Sequence, residues 1–426
     1  MRDFARSESP AVQAQLDRLG RLSVPDGRLG LDTIRALLDR LGNPHRKLPP
    51  VFHVAGTNGK GSTCAFLRAM LEAEGYKVHV TTSPHLVRYN ERIRVAGALI
   101  SDERLAELLA EVLDAGEDLN PSFFEVTIAA AFLEFARVPA DACVVEVGLG
   151  GRFDATNVLE PEVLAACGIA ALGIDHERFL LAPEDGVPAL PIARIAFEKA
   201  GIAKPGVPLV TLEDSHVPEA EQVIRDVAER VGAPLNMVRS FGKGSITPDA
   251  SAYPEPGLGG AHQERNAALA NGMLRAQARL AIGEEAIRTG IETARWPARM
   301  QRLGAGPLTA LAADRDVWLD GGHNPSAGLA IADAFSGPLH LVLGMLDNKD
   351  PRSLLDAMDD RIRSFTVVPI PGHAAYGVEV FGKNAKRADD VVEALSKLPA
   401  DGHPVLIAGS LYLAGEVLRL NNELPD

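Results

Sequence analysis

Apolar, β-branched runs recur along the chain, each followed by a turn and then by a stretch with helical spacing. Val51–Ala55 reads as a short strand. Gly61–Glu74 has helical spacing and stops at Gly75, a natural helix terminator. Lys77–Thr81 reads as the next strand. Ser101 precedes Asp102–Asp114 as an N-cap, and Leu105, Leu108, Leu109, Val112 and Leu113 fall at helical spacing within that run. Phe124–Ala136 reads as helix. Ala142–Val147 and Val163–Ile169 read as apolar strands. Continuous apolar strands between helices imply a parallel sheet covered on both faces.

The alternation restarts in the last third. Strands are expected at Val317–Leu319, Leu339–Leu343, Ser364–Val368 and Val405–Ala408, with helices at Ser326–Phe335, Pro351–Met358, Ala385–Leu398 and Leu411–Leu420. Between the two blocks lie a Gly/Pro-rich loop (Pro254–Gly260), two helices near 262–294, and the segment Trp296-Pro-Ala-Arg-Met300. The expectation is an α/β chain with a domain boundary at that segment. A mainly parallel N-terminal domain would cover 1–297, and a smaller Rossmann-like α/β domain 298–426.

Composition narrows the class. The 426 residues are 46% hydrophobic, enough for sizeable cores, and no apolar run approaches the ~20 residues needed to span a bilayer. Met1–Pro10 is polar, without the apolar stretch of a signal peptide. Cys64, Cys143 and Cys167 show no CxxC spacing, so neither a zinc site nor a redox dithiol is supported. The expected location is the cytoplasm. A net charge of −14 argues against nucleic-acid binding. Any phosphate site must therefore build its positive field locally, from backbone N–H groups, a few cations and metal ions.

Four segments carry candidate chemistry. Gly56-Thr57-Asn58-Gly59-Lys60-Gly61-Ser62 follows a strand and opens a helix, the setting a phosphate loop requires. Lys60 would meet the outer phosphates, and Ser62 or Thr63 could approach Mg²⁺. An ordinary Gly-rich turn would need neither. The loop departs from the common GxxxxGK[ST] form, which points away from generic GTPases and kinases, and it marks the first domain as P-loop-type. Glu146 ends an apolar strand, where a charge is costly unless a metal or base uses it, or unless it caps a neighbouring loop. His176, in Gly173-Ile-Asp-His176, stands past another strand, though oxygen ligands are more usual for Mg²⁺. In Trp318–Pro325, Asp320 could accept from a ribose and His323 could touch a phosphate; alternatively, Asn324-Pro325 makes an Asx-type turn. Arg299 lies at the expected hinge. The Glu198-Lys199 pair, by itself, reads as a solvated helix face.

Taken together, these residues resemble the folylpolyglutamate synthase and dihydrofolate synthase family of the Mur ligase superfamily. The matching segments run from Gly56–Ser62 through Ser83–Leu86, Phe124-Glu125, Glu146–Asn157, Asp175-His176, Glu198–Gly201, His262…Asn266 and Arg299 to Asp320–Pro325 and Lys349-Asp350, with Gly30-Leu31 and Leu41–Pro44 before them. The resemblance implies that Gly56–Ser62 cradle the ATP phosphates, with Asn266, Arg299 and Asp320 also holding the nucleotide. It implies metal ligation by Ser62, Ser83, Glu146 and His176, with two Mg²⁺ ions. Lys199 matches a lysine that is carbamylated in the family. The pterin would lie near Leu29, Gly30, Leu31, Ser83, Pro84, His85, Phe124, Glu125, Asp154, Ala155 and Thr156. Lys60, Lys199 and His323 are the expected catalytic residues. The implied reaction joins glutamate to dihydropteroate or a reduced folate through an acyl phosphate, with two-domain closure excluding water. The implied protein is a monomer acting on small molecules, without nucleic-acid or membrane partners.

Three departures stand out. His176 and Lys199 are separated by a Pro- and Ala-rich stretch, Leu181–Pro191, where the family spacing is shorter and carries a Leu-Gly-x-Thr element. Gly322 replaces the usual alanine. Ala298 stands where glycine is frequent. Two rival readings are a Mur-type cell-wall ligase, for which the 55 residues before Gly56 leave too little room for a UDP-sugar domain, and a non-catalytic nucleotide-dependent binding protein.

Overall fold

The apolar runs flanking the glycine-rich loop pair with one another in a single sheet. The computed structural model describes residues 6–22, 30–175, 177–213, 216–240, 253–312 and 315–426. The chain divides into two compact units, one of residues 1–84, 89–257 and 264–295, the other of residues 85–88, 258–263 and 296–426.

In the first unit the strands are β1 (Val51–Ala55), β2 (Val78–Thr81), β3 (Ile93–Val95), β4 (Ala98–Leu99), β5 (Ala142–Glu146), β6 (Leu164–Ile169), β7 (Leu209–Leu212) and β8 (Leu235–Val238). They run in the order β4-β3-β2-β5-β1-β6-β7-β8. All neighbours are parallel except those made by the β3–β4 hairpin. Residues of β1, β2, β5, β6 and β7 are all buried, which is why these strands read as unbroken apolar runs. The helices are α1 (Pro10–Gly20), α2 (Asp32–Arg40), α3 (Lys60–Ala73), α4 (Asp102–Gly116), α5 (Phe123–Arg137), α6 (Glu177–Leu180), α7 (Pro191–Ala200), α8 (Pro218–Val231), α9 (His262–Ala276) and α10 (Glu284–Thr293). Ser101 caps α4 as expected, accepting from the Arg104 N–H at 3.2 Å. Gly75, at φ +96, closes α3.

The second unit carries β9 (Gln301–Arg302), β10 (Val317–Leu319), β11 (Leu339–Leu343), β12 (Ile362–Val367), β13 (Ala385–Arg387) and β14 (Val405–Ala408), in the order β13-β12-β11-β14-β10-β9. Among the described residues, only the β9–β10 pair of these strands is antiparallel. Its helices are α11 (Pro325–Asp333), α12 (Leu355–Met358), α13 (Val391–Ser396) and α14 (Leu411–Leu420). Side chains alternate between two cores: Val405 and Ile407 join one, Leu406 and Ala408 the other.

Two expected helices shrink. Ala385–Arg387 is an edge strand, and the helix begins only after Asp390, whose carboxylate accepts from the Glu393 N–H at 2.7 Å. That cap decides where the chain turns helical. Pro351–Met358 is helical only from Leu355, because Asp350 holds its start in a turn through the Arg352 N–H at 2.9 Å. The hairpin β3–β4 escaped the pattern because its turn is Ala96-Gly97, at φ +48 and +94, without the usual Asn-Gly signal. Among the described residues no helix is long and apolar enough to cross a membrane.

Candidate functional site

Because β1, β5 and β6 are parallel neighbours, their C-terminal ends meet at one edge of the sheet, and the glycine-rich loop leaves from β1 there. Gly56 sits at φ +149, and a Cβ on it would come within 2.8 Å of Ala170. The N–H groups of Thr57 and Asn58 both donate to the Ala171 carbonyl, at 2.9 and 3.1 Å. Thr57 Oγ1 donates to the Gly173 carbonyl at 2.9 Å and accepts from the Gly173 N–H at 3.1 Å. Thr57 and Asn58 thus spend their amides on fastening the loop to the chain leaving β6. The first helical bond of α3 runs from Thr63 N–H to Gly59 at 2.8 Å, so the amides of Lys60 to Ser62 are the first-turn donors left for an anion. The hydroxyls of Ser62 and Thr63 are buried without a hydrogen-bond partner.

Glu146, the last residue of β5, is buried, and its Oε2 accepts from the Ser83 N–H at 3.0 Å. Ser83 follows β2, the parallel neighbour of β5, so topology alone brings the two together. His176 and Leu29 lie outside the described residues. Among the described residues no cluster of three His, Cys, Asp or Glu side chains forms a metal cage. One carboxylate and serine hydroxyls are what the described part of the expected ligand set offers, and such hard oxygen donors suit Mg²⁺.

Lys199, near the end of α7, is 4% exposed, and Glu198 is equally buried, so neither belongs to a solvated face. Burial, then the charge of Lys60, draws the Lys199 amine down to about 7; Asp175, Asp154 and Glu198 oppose the shift. Lys199 shares one small cavity with Gly56, Thr57, Lys60, Gly148 and Asp175. Gly151 is what lets α7 come close, because a Cβ there would meet the Glu198 carbonyl at 2.7 Å. Two buried arginine–glutamate contacts brace the helix. Arg152 Nη2 donates to Glu198 Oε1 at 2.8 Å, and Arg194 Nη2 lies 3.1 Å from the same oxygen. Both guanidiniums also reach Glu184, which belongs to the Pro- and Ala-rich stretch Leu181–Pro191. Arg152 and Glu184 were not legible as partners, since no spacing links them to α7; Arg194 stands at i,i+4 from Glu198.

Asp154 is buried, and desolvation raises its carboxyl pKa against hydrogen bonds from Thr156 and the amides of Leu149 and Gly148. Thr156 Oγ1 also meets His53 Nε2 of β1 at 2.8 Å. His53, wholly buried, is pushed down to about 3 by desolvation, then by Lys204. Ala155 is buried beside them. A Cβ on Gly148 would strike the Phe124 ring, so that ring lies directly against Gly148. Glu125 has a structural partner: with Ser122 it forms the capping box that starts α5. Gly30 is exposed, and Leu31 packs on the main core at the N-cap of α2. Asn266, on α9, is buried against Gly59. Pro84 follows Ser83 through a cis peptide.

In the second unit, Asp320 is 5% exposed and has both oxygens engaged. Oδ2 accepts from the Met300 N–H at 2.8 Å, and Oδ1 from the Gly322 N–H at 2.7 Å, an Asx-type turn. Arg299 Nη1 donates to the Ala298 carbonyl at 3.0 Å and lies over Gly321. His323 Nδ1 meets the Gly321 carbonyl at 3.0 Å, so Nδ1 carries the proton. Asn324 caps α11 by accepting from the Ala327 N–H at 2.9 Å. His85 belongs to this unit.

No family model matches the chain. It is 34% identical to the dihydrofolate synthase/folylpolyglutamate synthase of Bacillus subtilis, over 92% of this chain and 94% of that protein. The solved structure of Escherichia coli FolC in complex with DHPP and ADP has a TM-score of 0.83 and 30% identity, covering 97% of this chain and 98% of that one. A Yersinia pestis bifunctional folylpolyglutamate synthase/dihydrofolate synthase, complexed with AMPPNP and Mn, has a TM-score of 0.79 and 28% identity, covering 98% and 99%.

Proposed function

The chain belongs to the dihydrofolate synthase/folylpolyglutamate synthase family, and from that premise we propose how its residues carry the ligation. It is an ATP-dependent ligase that joins L-glutamate to dihydropteroate, to reduced folates, or to both. The acceptor carboxylate attacks the γ-phosphorus of ATP, giving an acyl phosphate and releasing ADP. The deprotonated amine of glutamate then attacks the acyl carbon, an amide forms, and inorganic phosphate leaves. Phosphoryl transfer needs positioning and charge neutralisation more than covalent help. The observation that carries this reading is the shared cavity of Gly56, Thr57, Lys60, Asp175 and Lys199 at the C-terminal edge of a parallel sheet. Lys60 and the first-turn amides of α3 hold the outer phosphates.

We assign Ser62, Ser83, Glu146 and His176 to the divalent metal, whose charge offsets that of the phosphates. The unpartnered, buried Ser62 hydroxyl supports this assignment. A second metal requires Lys199 as its carbamate: the neutral amine attacks CO₂, an N–C bond forms and one proton is released. An amine drawn down to about 7 has the necessary lone pair at neutral pH. Phe124, Asp154 and Thr156 are assigned to the pterin, Asn266 to the nucleotide; in the second unit, Arg299 and Asp320 are assigned to nucleotide and His323 to phosphate. The three buried thiols fit a reducing cytoplasm.

The test is amide formation with labelled glutamate, ATP and Mg²⁺, run in parallel with dihydropteroate and tetrahydrofolate. ADP should appear one for one with amide, and Lys60→Ala should abolish both. Nucleotide binding without amide product for either acceptor would make the protein a nucleotide-dependent binding protein instead. A ¹³CO₂ carbamate resonance that survives Lys199→Arg would remove the carbamate from the scheme.

A further inference from the structure

The opposite edge of the eight-stranded sheet, where its parallel strands begin, holds a second and larger cavity of about 400 Å³, open to solvent on one side. His45 and Arg46 reach it from just before β1, Pro161 from before β6, and Lys204 from before β7, while Arg35 faces it from α2. The phosphate loop leaves the other end of β1, so the two cavities lie at opposite edges of the sheet.

The charges lining this cavity do not balance. Of its two carboxylates, Glu160 is paired with Arg46 at 3.0 Å, and Asp39 accepts from Asn43 Nδ2 at 3.0 Å. Lys204 Nζ donates only to neutral acceptors of Asn157, the side-chain oxygen at 2.7 Å and the carbonyl at 3.4 Å. Among the described residues the Arg35 guanidinium makes no hydrogen bond or ion pair. His45 is 4% exposed, and its Nδ1 has no partner. Burial, then Arg46, lowers the His45 pKa against the opposing charge of Glu160, and burial, with Arg35, lowers that of Lys204 against Cys167 and Glu160. Three cations, Arg35, Arg46 and Lys204, thus face two carboxylates, Asp39 and Glu160, and leaving a half-buried ammonium beside an excess of positive charge is costly. An oxyanion between Arg35 and Lys204 would offset that cost with charge-assisted hydrogen bonds.

We propose that this cavity is a second ligand site, taking a small oxyanion of the phosphate or carboxylate class between Arg35 and Lys204, with His45 as a further polar contact. The chemistry is shared by inorganic phosphate and by short γ-glutamyl chains, so both are probes. Isothermal titration of the whole protein, with Mg²⁺ and saturating AMP-PNP filling the phosphate loop, should register binding of inorganic phosphate, tri-γ-glutamate or both. Binding of one alone identifies the source. Arg35→Glu, at an exposed position that leaves folding intact, should weaken that binding by at least about ten-fold. Lys204→Gln should do the same. Arg40→Gln, which does not line the cavity, should leave it unchanged. The absence of heat with both probes overturns the proposal, as does an Arg35→Glu protein that binds as tightly as the parent.

Discussion

The side-chain oxygen of Asn266 occupies the space in which a Cβ of residue 59 would stand. Gly59 is also at φ +85, and it precedes the first turn of α3. Two demands, left-handed backbone and empty side-chain space, thus fall on one residue of the phosphate loop. Gly59→Ala meets both penalties: about 1–2 kcal/mol for the backbone, and a displaced Asn266. The KM for ATP should rise by about ten-fold or more, read from initial rates against ATP. An unchanged KM would show that Asn266 does not set the loop.

Glu198 and Glu184 receive the same two arginines but differ in burial, with side-chain exposures of 5% and 40%. Glu198→Gln leaves two guanidiniums undercompensated near the interior and should cost about 3–5 kcal/mol. Glu184→Gln removes a half-exposed pair and should cost at most about 1 kcal/mol. Urea unfolding of the two variants separates them. Equal losses would mean that the stretch Leu181–Pro191, rather than the buried pair, braces α7 and Lys199.

Acid should destabilise the protein before its carboxylates titrate. His53 is held down to about 3 and His216 to about 4, against 6.5 in the unfolded chain. Below pH 6.5 the unfolded state takes up protons that the folded state refuses, so stability present above 6.5 is lost as pH falls towards those values. His53→Gln should reduce the stability difference between pH 7 and pH 5 by about 2 kcal/mol. Parallel slopes for variant and parent would assign the acid sensitivity elsewhere.

Ala298 has its backbone at φ +55 while its side chain is wholly buried. Ala298→Gly relieves the left-handed strain but adds unfolded-state entropy and loses a buried methyl. The net expectation is a gain of about 0.5–1 kcal/mol, seen as a raised denaturation midpoint. A loss would mean that the methyl contact outweighs the backbone.

The sheet strands around β1 were legible because burial on both faces leaves continuous apolar runs. The phosphate loop was legible because its residue types answer local demands. Glu198 and Lys199 were misread as solvated, since nothing local tells that α7 packs its C-terminal turn on Gly151. The same limit hid Arg152 and Glu184, which meet α7 only through the tertiary fold. The β13 strand was read as helix because the helix-starting Asp390 cap lies inside the run, and nothing local marks the three residues before it as a strand on β12.

The placement of β1 sets the order in which function can emerge during synthesis. Its two neighbours, β5 and β6, are residues 142–169, and the Ala170–Gly173 segment that fastens the glycine loop follows them. Asn266 comes later still. A nascent chain that has exposed residues 56–62 therefore carries the motif without its anchors, and non-local pairing of this kind forms slowly. Nucleotide binding on ribosome-stalled chains should be absent at residue 160 and appear only after the α9 segment has emerged.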